Sequence, residues 1–384
     1  MTPPLALYVH LPWCVQKCPY CDFNSHALRG ALPEAAYRDA LLADLAMERE
    51  ALAGDGRAIT SVFFGGGTPS LFAPKAIGTV LEAADAAFGL APGCEITLEA
   101  NPGTVDATHF RGYRAAGVNR LSIGAQSFDD AKLAALGRIH DAGAARRAVA
   151  TARAAGFDNL NLDLMFALPG QDVSGAEADL RAAIALEPEH ISWYHLTLEP
   201  NTAFAAAPPA LPDEDAAATM MDAGAEMLEA AGFASYETSA WARPARQCRH
   251  NRNYWSFGDY LGIGAGAHGK ISRRDVEGVL VVERRVRQRH PRRYLAAVGS
   301  EAVLAQRESV PKAARGFELA MNALRLRDGF DWATLAAHAD LAQADLAAPL
   351  EAATARGLVT VDARGVRPTA LGRAHLNTLL GLFL

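Results

Sequence analysis

The first two hundred residues alternate between short apolar runs and longer segments whose apolar residues recur every three to four positions. The short runs predict β-strands and the longer segments predict α-helices. The predicted strands are residues 5–10, 59–64, 95–99, 119–124, 159–165 and 190–196. The predicted helices are residues 34–52, 74–88, 104–116, 129–136, 141–155 and 174–186. About six successive strand–helix units favour an α/β fold with a parallel sheet, wound as a full or partial barrel whose ligands bind at the C-terminal strand ends.

The pattern changes after residue 205, where a Pro/Ala connector at 205–212 precedes a predicted helix at 213–231. Further along, we predict an irregular Gly- and aromatic-rich region at 236–269 and a strand at 279–286. Short helices after residue 310 and a hairpin at 358–367 resemble a winged-helix arrangement. The sequence therefore predicts three parts: a core barrel (1–205), a linker and accessory region (206–305), and a small helical winged-helix-like C-terminal domain (306–384).

Composition and charge argue against nucleic-acid-binding, membrane-spanning and secreted proteins. The net charge of −6 gives no reason to expect nucleic-acid binding, and the C-terminal domain lacks a concentrated basic helix. The chain starts with strand-like sequence instead of a basic n-region, and no apolar run could span a bilayer, so we expect a cytoplasmic protein. The five cysteines do not resemble a secreted disulfide framework. A reducing compartment and a thiolate-bound cofactor fit them better.

Three of the cysteines, Cys14, Cys18 and Cys21, form a C-x3-C-x2-C loop after the first predicted strand. Thiolates are soft ligands that suit an iron–sulfur cluster or zinc. One alternative is a structural zinc loop that takes His10 or Cys94 as its fourth ligand. The other is a cubane cluster with three thiolate ligands, whose fourth iron is open to an external ligand.

This loop resembles the signature of the radical S-adenosylmethionine (SAM) superfamily, as does Gly65-Gly66-Gly67-Thr68-Pro69 after the second strand. The resemblance implies an incomplete (β/α)6 radical SAM barrel with a [4Fe-4S] cluster on the three cysteines and SAM on the fourth iron. In the coproporphyrinogen III dehydrogenase-like branch, it further implies the following SAM-binding residues: Tyr8, Tyr20, Gly67, Thr68, Glu99, Gln126, Arg138 and Asp163. Arg138 is suited to a forked pair with the SAM carboxylate.

Within this branch the chain resembles the HemW-type haem chaperones more than the dehydrogenases. Phe23 stands where the dehydrogenases carry a fourth cysteine, and their N-terminal extension before the first strand is missing. The segment from His250 to Trp255 matches the pattern His-Asn-x-x-Tyr-Trp, which is typical of HemW-like proteins. The resemblance implies haem binding near His250, Tyr254 and Trp255. His10, His195 and His268 compete with His250 as the axial ligand.

We therefore predict a haem chaperone that binds haem and delivers it to respiratory haem proteins, with the cluster and SAM in the barrel and no assigned catalytic residue. Membrane acceptors would be compatible with peripheral membrane contact. The alternatives are an oxygen-independent coproporphyrinogen III dehydrogenase and a binding module with a purely structural metal site. The basic stretch from Arg284 to Arg293 is interpreted as a solvated face, or as a partner of haem propionates or anionic lipid. Cys94 and Cys248 are interpreted as structural. The acceptor and the oligomeric state stay open.

Overall fold

The structure, a computed structural model, describes residues 2–384. Its main feature is one twelve-stranded sheet, whose strands come from residues 5–310. Its strands, in chain order, are β1 Leu5–Leu11, β2 Ile59–Gly66, β3 Leu90–Ala100, β4 Arg120–Gln126, β5 Leu160–Phe166, β6 His190–His195, β7 Ala234–Glu237, β8 Ala240–Ala242, β9 Asp259–Ile263, β10 His268–Arg274, β11 Leu280–Arg287 and β12 Leu304–Val310. The order across the sheet is β12-β11-β10-β9-β1-β2-β3-β4-β5-β6-β8-β7.

The α-helices are α1 Glu34–Ala51, α2 Pro74–Phe88, α3 Ala107–Ala115, α4 Asp130–Ala135, α5 Ala142–Ala154, α6 Val173–Ile184, α7 Ala203–Ala206, α8 Glu214–Ala230, α9 Arg249–Trp255, α10 Pro291–Ala297, α11 Lys312–Ala323, α12 Trp332–Thr334, α13 Ala347–Ala355, α14 Ala370–Ala374 and α15 Leu376–Leu380. Several start at an Asp or Thr whose side chain accepts hydrogen bonds from the first turn, as Asp106 does for α3.

The strands β1 to β6 lie side by side in chain order, each parallel to the next, with helices crossing between them. Their runs of apolar residues are buried, which is expected of a parallel sheet covered on both faces. The predicted α/β architecture with six strand–helix units and an incomplete barrel is therefore confirmed.

The sheet continues beyond these six strands at both edges. On one side β9 pairs in parallel with β1, and β10, β11 and β12 follow as an antiparallel meander. On the other side β8 and β7 extend the sheet from β6. The prediction that residues 236–269 are irregular was wrong, since they hold β8, α9, β9 and part of β7 and β10. These strands have only three to seven residues, so periodicity alone did not distinguish them. The three-part division of the chain stays a prediction.

Two arginines of the basic stretch are buried in ion pairs. Arg287 contacts Asp44 and Glu48 of α1, while Arg285 contacts Glu48 and Glu283. The interpretation of the stretch as a solvated face was therefore wrong for these two residues. They attach β11 to α1, because a buried charge requires a partner.

The C-terminal part combines α11 to α15 with a small sheet of three strands, β13 Phe330–Asp331, β14 Val359–Val361 and β15 Gly365–Pro368. The predicted hairpin is confirmed, with β14 and β15 antiparallel. This part has its own apolar core, which also takes in residues of β11 and β12. The helices of residues 2–384 include none that combines the length and the apolar character needed to cross a bilayer.

Candidate functional site

The three cysteines lie on the loop between β1 and α1, and all are free thiols that are partly exposed. The loop starts with a short pairing of Trp13–Cys14 against His26–Ala27. Its tip rests on the turn after α4, where Gln16 Nε2 donates to the Gly137 carbonyl at 3.2 Å. Gly137 has φ +65°, and a Cβ there would lie 2.8 Å from Pro19 Cδ. A glycine is thus required for this close approach.

The glycine run at the end of β2 packs directly under the cysteine loop. The amides of Gly67 and Thr68 donate to the carbonyls of Leu11 and Trp13, both at 2.8 Å. A Cβ on Gly67 would lie 2.6 Å from the carbonyl oxygen of Trp13. This glycine therefore permits the two loops to form one continuous wall.

Two carboxyl groups stand at the ends of neighbouring strands. Glu99 on β3 accepts a hydrogen bond from the Gly66 amide at 3.1 Å. Burial, and secondarily the charge of Asp163, raises the pKa of Glu99 to about 8. On β5, Asp163 accepts hydrogen bonds from Asn161 Nδ2 at 2.7 Å and from Ser122 Oγ at 3.1 Å, and burial raises its pKa as well. Both carboxyl groups line the same cavity.

Arg138 reaches the cysteine loop from the turn after α4. Its Nη1 lies 3.5 Å from Cys18 Sγ, and its Nη2 donates to the Gly124 carbonyl at 2.9 Å. Its buried Nε has no hydrogen-bond partner among the described residues. An unpaired buried donor costs free energy, so this nitrogen is suited to a ligand acceptor.

A cavity of about 410 Å³ brings these groups together, and we call it the thiol cavity. Of the residues predicted from the sequence, its lining includes Cys14, Cys18, Cys21, Tyr20, Gly67, Thr68, Glu99, Gln126, Arg138, Asp163 and Trp255. Tyr194 was missed by sequence reasoning although it too lines the cavity and donates to Gln126 Oε1 at 2.6 Å. Its position at the end of β6 was the signal that could have found it.

A second cavity of about 660 Å³ adjoins the first, and we call it the aromatic cavity. Its lining includes Tyr8, His10, Phe63, His250, Tyr254, Trp255, Tyr260, His268, Arg284 and Arg289. Tyr8 lines this cavity and not the thiol cavity. The two cavities share Phe23, Gly66, Glu99, Asn251 and Trp255 as a common wall. A ligand in one would therefore be within reach of a ligand in the other.

His250 lies on α9, and its side chain is buried. Its Nδ1 lies 3.2 Å from Ser61 Oγ, and its ring centroid lies 5.2 Å from that of Phe63. Burial lowers the pKa of His250 to about 3, so the imidazole is neutral. Glu95 anchors α9 by accepting from the His250 amide at 3.2 Å and from Cys248 Sγ at 3.4 Å. This contact agrees with the structural role expected of Cys248.

The three competing histidines occupy different positions. His10 uses both ring nitrogens, with Nδ1 3.0 Å from the Tyr8 hydroxyl and Nε2 2.9 Å from the Asn24 carbonyl. His195 stacks on Phe166 outside the aromatic cavity. His268 lines that cavity and is exposed to it.

The donor set fits a cubane better than zinc. The possible fourth zinc ligand His10 is already engaged, and Cys94 lies five residues before Glu99 on β3, about 16 Å along the strand. Three soft thiols beside an unpaired arginine nitrogen and two carboxyl groups suit a cluster with a polar, zwitterionic ligand.

Comparison with known proteins agrees with this arrangement. Residues 8–183 match the radical SAM superfamily, and residues 310–375 match the HemN C-terminal domain. The chain is 47% identical over 382 residues to the heme chaperone HemW of Escherichia coli (strain K12), covering 100% of this chain and 98% of the relative. The heme chaperone HemW of Haemophilus influenzae is 45% identical, with coverage of 100% and 98%.

Among solved structures, the fold is similar to that of coproporphyrinogen III oxidase (HemN) from Escherichia coli. The TM-score is 0.83 at 24% sequence identity, and the match covers 100% of this chain and 90% of that chain. At this identity the similarity establishes the radical SAM fold alone.

Proposed function

The chain belongs to the HemW family of radical SAM proteins, and from this premise we propose that it binds haem and delivers it to respiratory haem proteins. The observation that carries the proposal is the position of the His-Asn-x-x-Tyr-Trp motif. His250, Tyr254 and Trp255 line a large aromatic cavity that shares a wall with the thiol cavity. A flat, apolar macrocycle requires such aromatic faces, and its iron requires a nitrogen ligand.

For the thiol cavity, we propose that Cys14, Cys18 and Cys21 hold a [4Fe-4S] cluster and that the remaining lining binds SAM. Such a cluster, when bound and reduced, would supply one electron to the sulfonium of the bound SAM. Arg138 is the partner proposed for the SAM carboxylate, since its buried Nε has a free donor. Glu99 and Asp163 are the acceptors proposed for ribose hydroxyls or the ammonium group. Gly67 and Thr68 would offer main-chain groups beside the cluster, while Gln126 and Tyr20 enclose the ligand.

Phe23 favours the chaperone over the dehydrogenase. Its side chain is 62% exposed and lines both cavities at the position that carries a fourth cysteine in the dehydrogenases. An exposed phenyl ring between the two sites offers an apolar contact to a porphyrin edge, but it cannot accept or pass a proton. We infer that the cluster and SAM govern when haem is released, with Phe23 and Trp255 as the contact between the two sites.

The test is haem transfer by anaerobically reconstituted protein. Haem-loaded protein is mixed with a haem-free respiratory acceptor, with and without SAM, and the acceptor's visible spectrum is followed. We expect saturable haem binding and transfer that responds to SAM. A matched variant, Phe23→Ser, should bind the cluster normally but bind haem more weakly. Absence of saturable binding would contradict the proposal, and anaerobic formation of protoporphyrinogen from coproporphyrinogen would favour the dehydrogenase instead.

A further inference from the structure

The aromatic cavity contains a histidine whose situation differs from that of the motif histidine. His268 is the first residue of β10 and is exposed toward the cavity. No hydrogen-bond partner lies at either of its ring nitrogens among the described residues, whereas His10 uses both of its ring nitrogens and His250 uses its Nδ1. A histidine that binds a metal needs one free nitrogen and access to the ligand. His268 meets both requirements.

The strands around His268 present a continuous surface to the cavity. His268 pairs with Val286 on β11, and Val286 pairs with Gln306 on β12, so the three side chains form one row across the meander. All three line the aromatic cavity. Arg284, two residues from Val286, faces the same side because side chains on a strand alternate. In this row His268 offers a nitrogen ligand, Val286 an apolar surface and Gln306 a polar side chain.

The charges beside His268 suit an anionic, iron-containing ligand. Arg284 is paired with Glu318, but Arg289 is exposed and has no acidic partner within ion-pair distance in residues 2–384. Its main chain is held in place, since its carbonyl accepts from Asn24 Nδ2 at 2.8 Å. The cavity walls shield the exposed imidazole from solvent in part, and this partial desolvation, together with the charges of Arg284 and Arg289, lowers the pKa of His268. The imidazole is therefore neutral near pH 7, which is the form that binds iron.

Resting on the proposed haem binding, we infer that His268 supplies the axial nitrogen to the haem iron and that Arg289 binds a haem propionate. In this arrangement His250 is a wall of the cavity. Its ring is enclosed by Phe63 and Tyr8, and its Nδ1 is engaged with Ser61. The motif residues thus shape the aromatic cavity, while the axial ligand of the iron comes from β10, which pairs with β11.

The ligand is tested by titrating ferric haem into the reconstituted full chain and into His268→Ala, His250→Ala and His195→Ala. We expect His268→Ala to change the Soret maximum and the electron paramagnetic resonance signal of the iron, and to weaken binding about tenfold or more. Added imidazole should restore the spectrum of that variant. His250→Ala should keep the wild-type iron spectrum, and the control His195→Ala should match wild type in both spectrum and affinity.

The propionate contact is tested with haem dimethyl ester. Arg289→Gln should weaken haem binding about tenfold without altering the iron spectrum, yet bind the ester as wild type does. Arg292→Gln, an exposed arginine outside the cavity, is the matched control. A wild-type spectrum in His268→Ala together with a lost spectrum in His250→Ala would overturn the inference while leaving haem binding intact. Failure of wild type itself to bind haem would instead overturn the proposed function.

Discussion

Replacing Arg287 by leucine tests whether the buried ion pairs between β11 and α1 hold the aromatic cavity in shape. The Arg287 side chain is 2% exposed, and its partners Asp44 and Glu48 are 0% and 4% exposed. Removing one member of a buried ion pair typically costs about 3–5 kcal/mol, because a buried charge is left uncompensated.

The cost for Arg287→Leu should lie at the lower end of that range, because both carboxylates keep other contacts. Asp44 would keep hydrogen bonds from the Gly264 amide at 3.1 Å and from the Tyr294 hydroxyl at 2.9 Å. Glu48 would keep its ion pair with Arg285 at 2.7 Å. We therefore expect Arg287→Leu to lower the free energy of unfolding by about 3 kcal/mol at pH 8.

The loss should depend on pH in a defined direction. Burial already raises the pKa of Asp44, and Arg287 is the main group that opposes the rise. Without Arg287 the pKa rises further, so the carboxyl favours its neutral form in the folded protein. A group with a raised folded pKa contributes stability at low pH that is lost as the pH climbs through that pKa. The deficit of the variant should consequently shrink between pH 8 and pH 5.

The assay is urea unfolding of cluster-free protein followed by circular dichroism at pH 5, 6.5 and 8. The control is Arg181→Leu, which removes an exposed pair with Glu177 on α6 and should cost less than about 0.5 kcal/mol. If the Arg287→Leu deficit equals that of the control, or does not change with pH, the argument from buried charge is refuted. A second readout is haem affinity, which should fall because β11 carries residues that line the aromatic cavity.

Three further predictions concern the thiol cavity. Gly67→Ala should abolish SAM binding measured by equilibrium dialysis, since the new Cβ would displace the cysteine loop, whereas Gly78→Ala in α2 should bind normally. In wild type, the raised pKa of Glu99 makes the folded protein lose stability as the pH rises toward 8, and Glu99→Gln removes that loss. The free energy of unfolding of the cluster-free variant should therefore gain on that of wild type by up to about 1.4 kcal/mol per pH unit. Urea titrations at several pH values measure this gain, and parallel stability curves for the two proteins would contradict it. Cys18→Ser should lose most of its iron and sulfide after reconstitution, whereas equal loss in Cys94→Ser would contradict the assigned cluster ligands.

Much of the barrel could be predicted from local sequence because each of its strands carries its own burial signal. Residues of β1 and β5 are mostly apolar and are buried on both faces, as expected of a parallel sheet between two helical layers, and the polar exceptions Asn161 and Asp163 share one face of β5. The cysteine spacing and the glycine run are likewise local, and both follow strands whose C-terminal ends meet at one edge. The thiol cavity therefore follows from the order of strands and motifs along the chain.

The aromatic cavity depends on pairings that no local pattern encodes. Strand β9 lies beside β1, more than two hundred residues earlier in the chain, and this pairing sets α9 and His250 against Tyr8 and Phe63. Main-chain hydrogen bonds make such a pairing, and nearly any sequence can form them.

The basic stretch shows the same division between local sequence and long-range contacts. Its sequence determined that arginines would stand on both faces of β11, because Arg284 and Arg285 are adjacent and side chains alternate along a strand. Whether each arginine was solvated, ion-paired or available to a ligand depended on partners far away in the chain. Arg287 is buried because Asp44 and Glu48 of α1 neutralise it, whereas Arg289, two residues further on, has no such partner within the described chain. The burial of Arg287 depends on the counter-charges that α1 supplies, and that supply is a property of the tertiary structure.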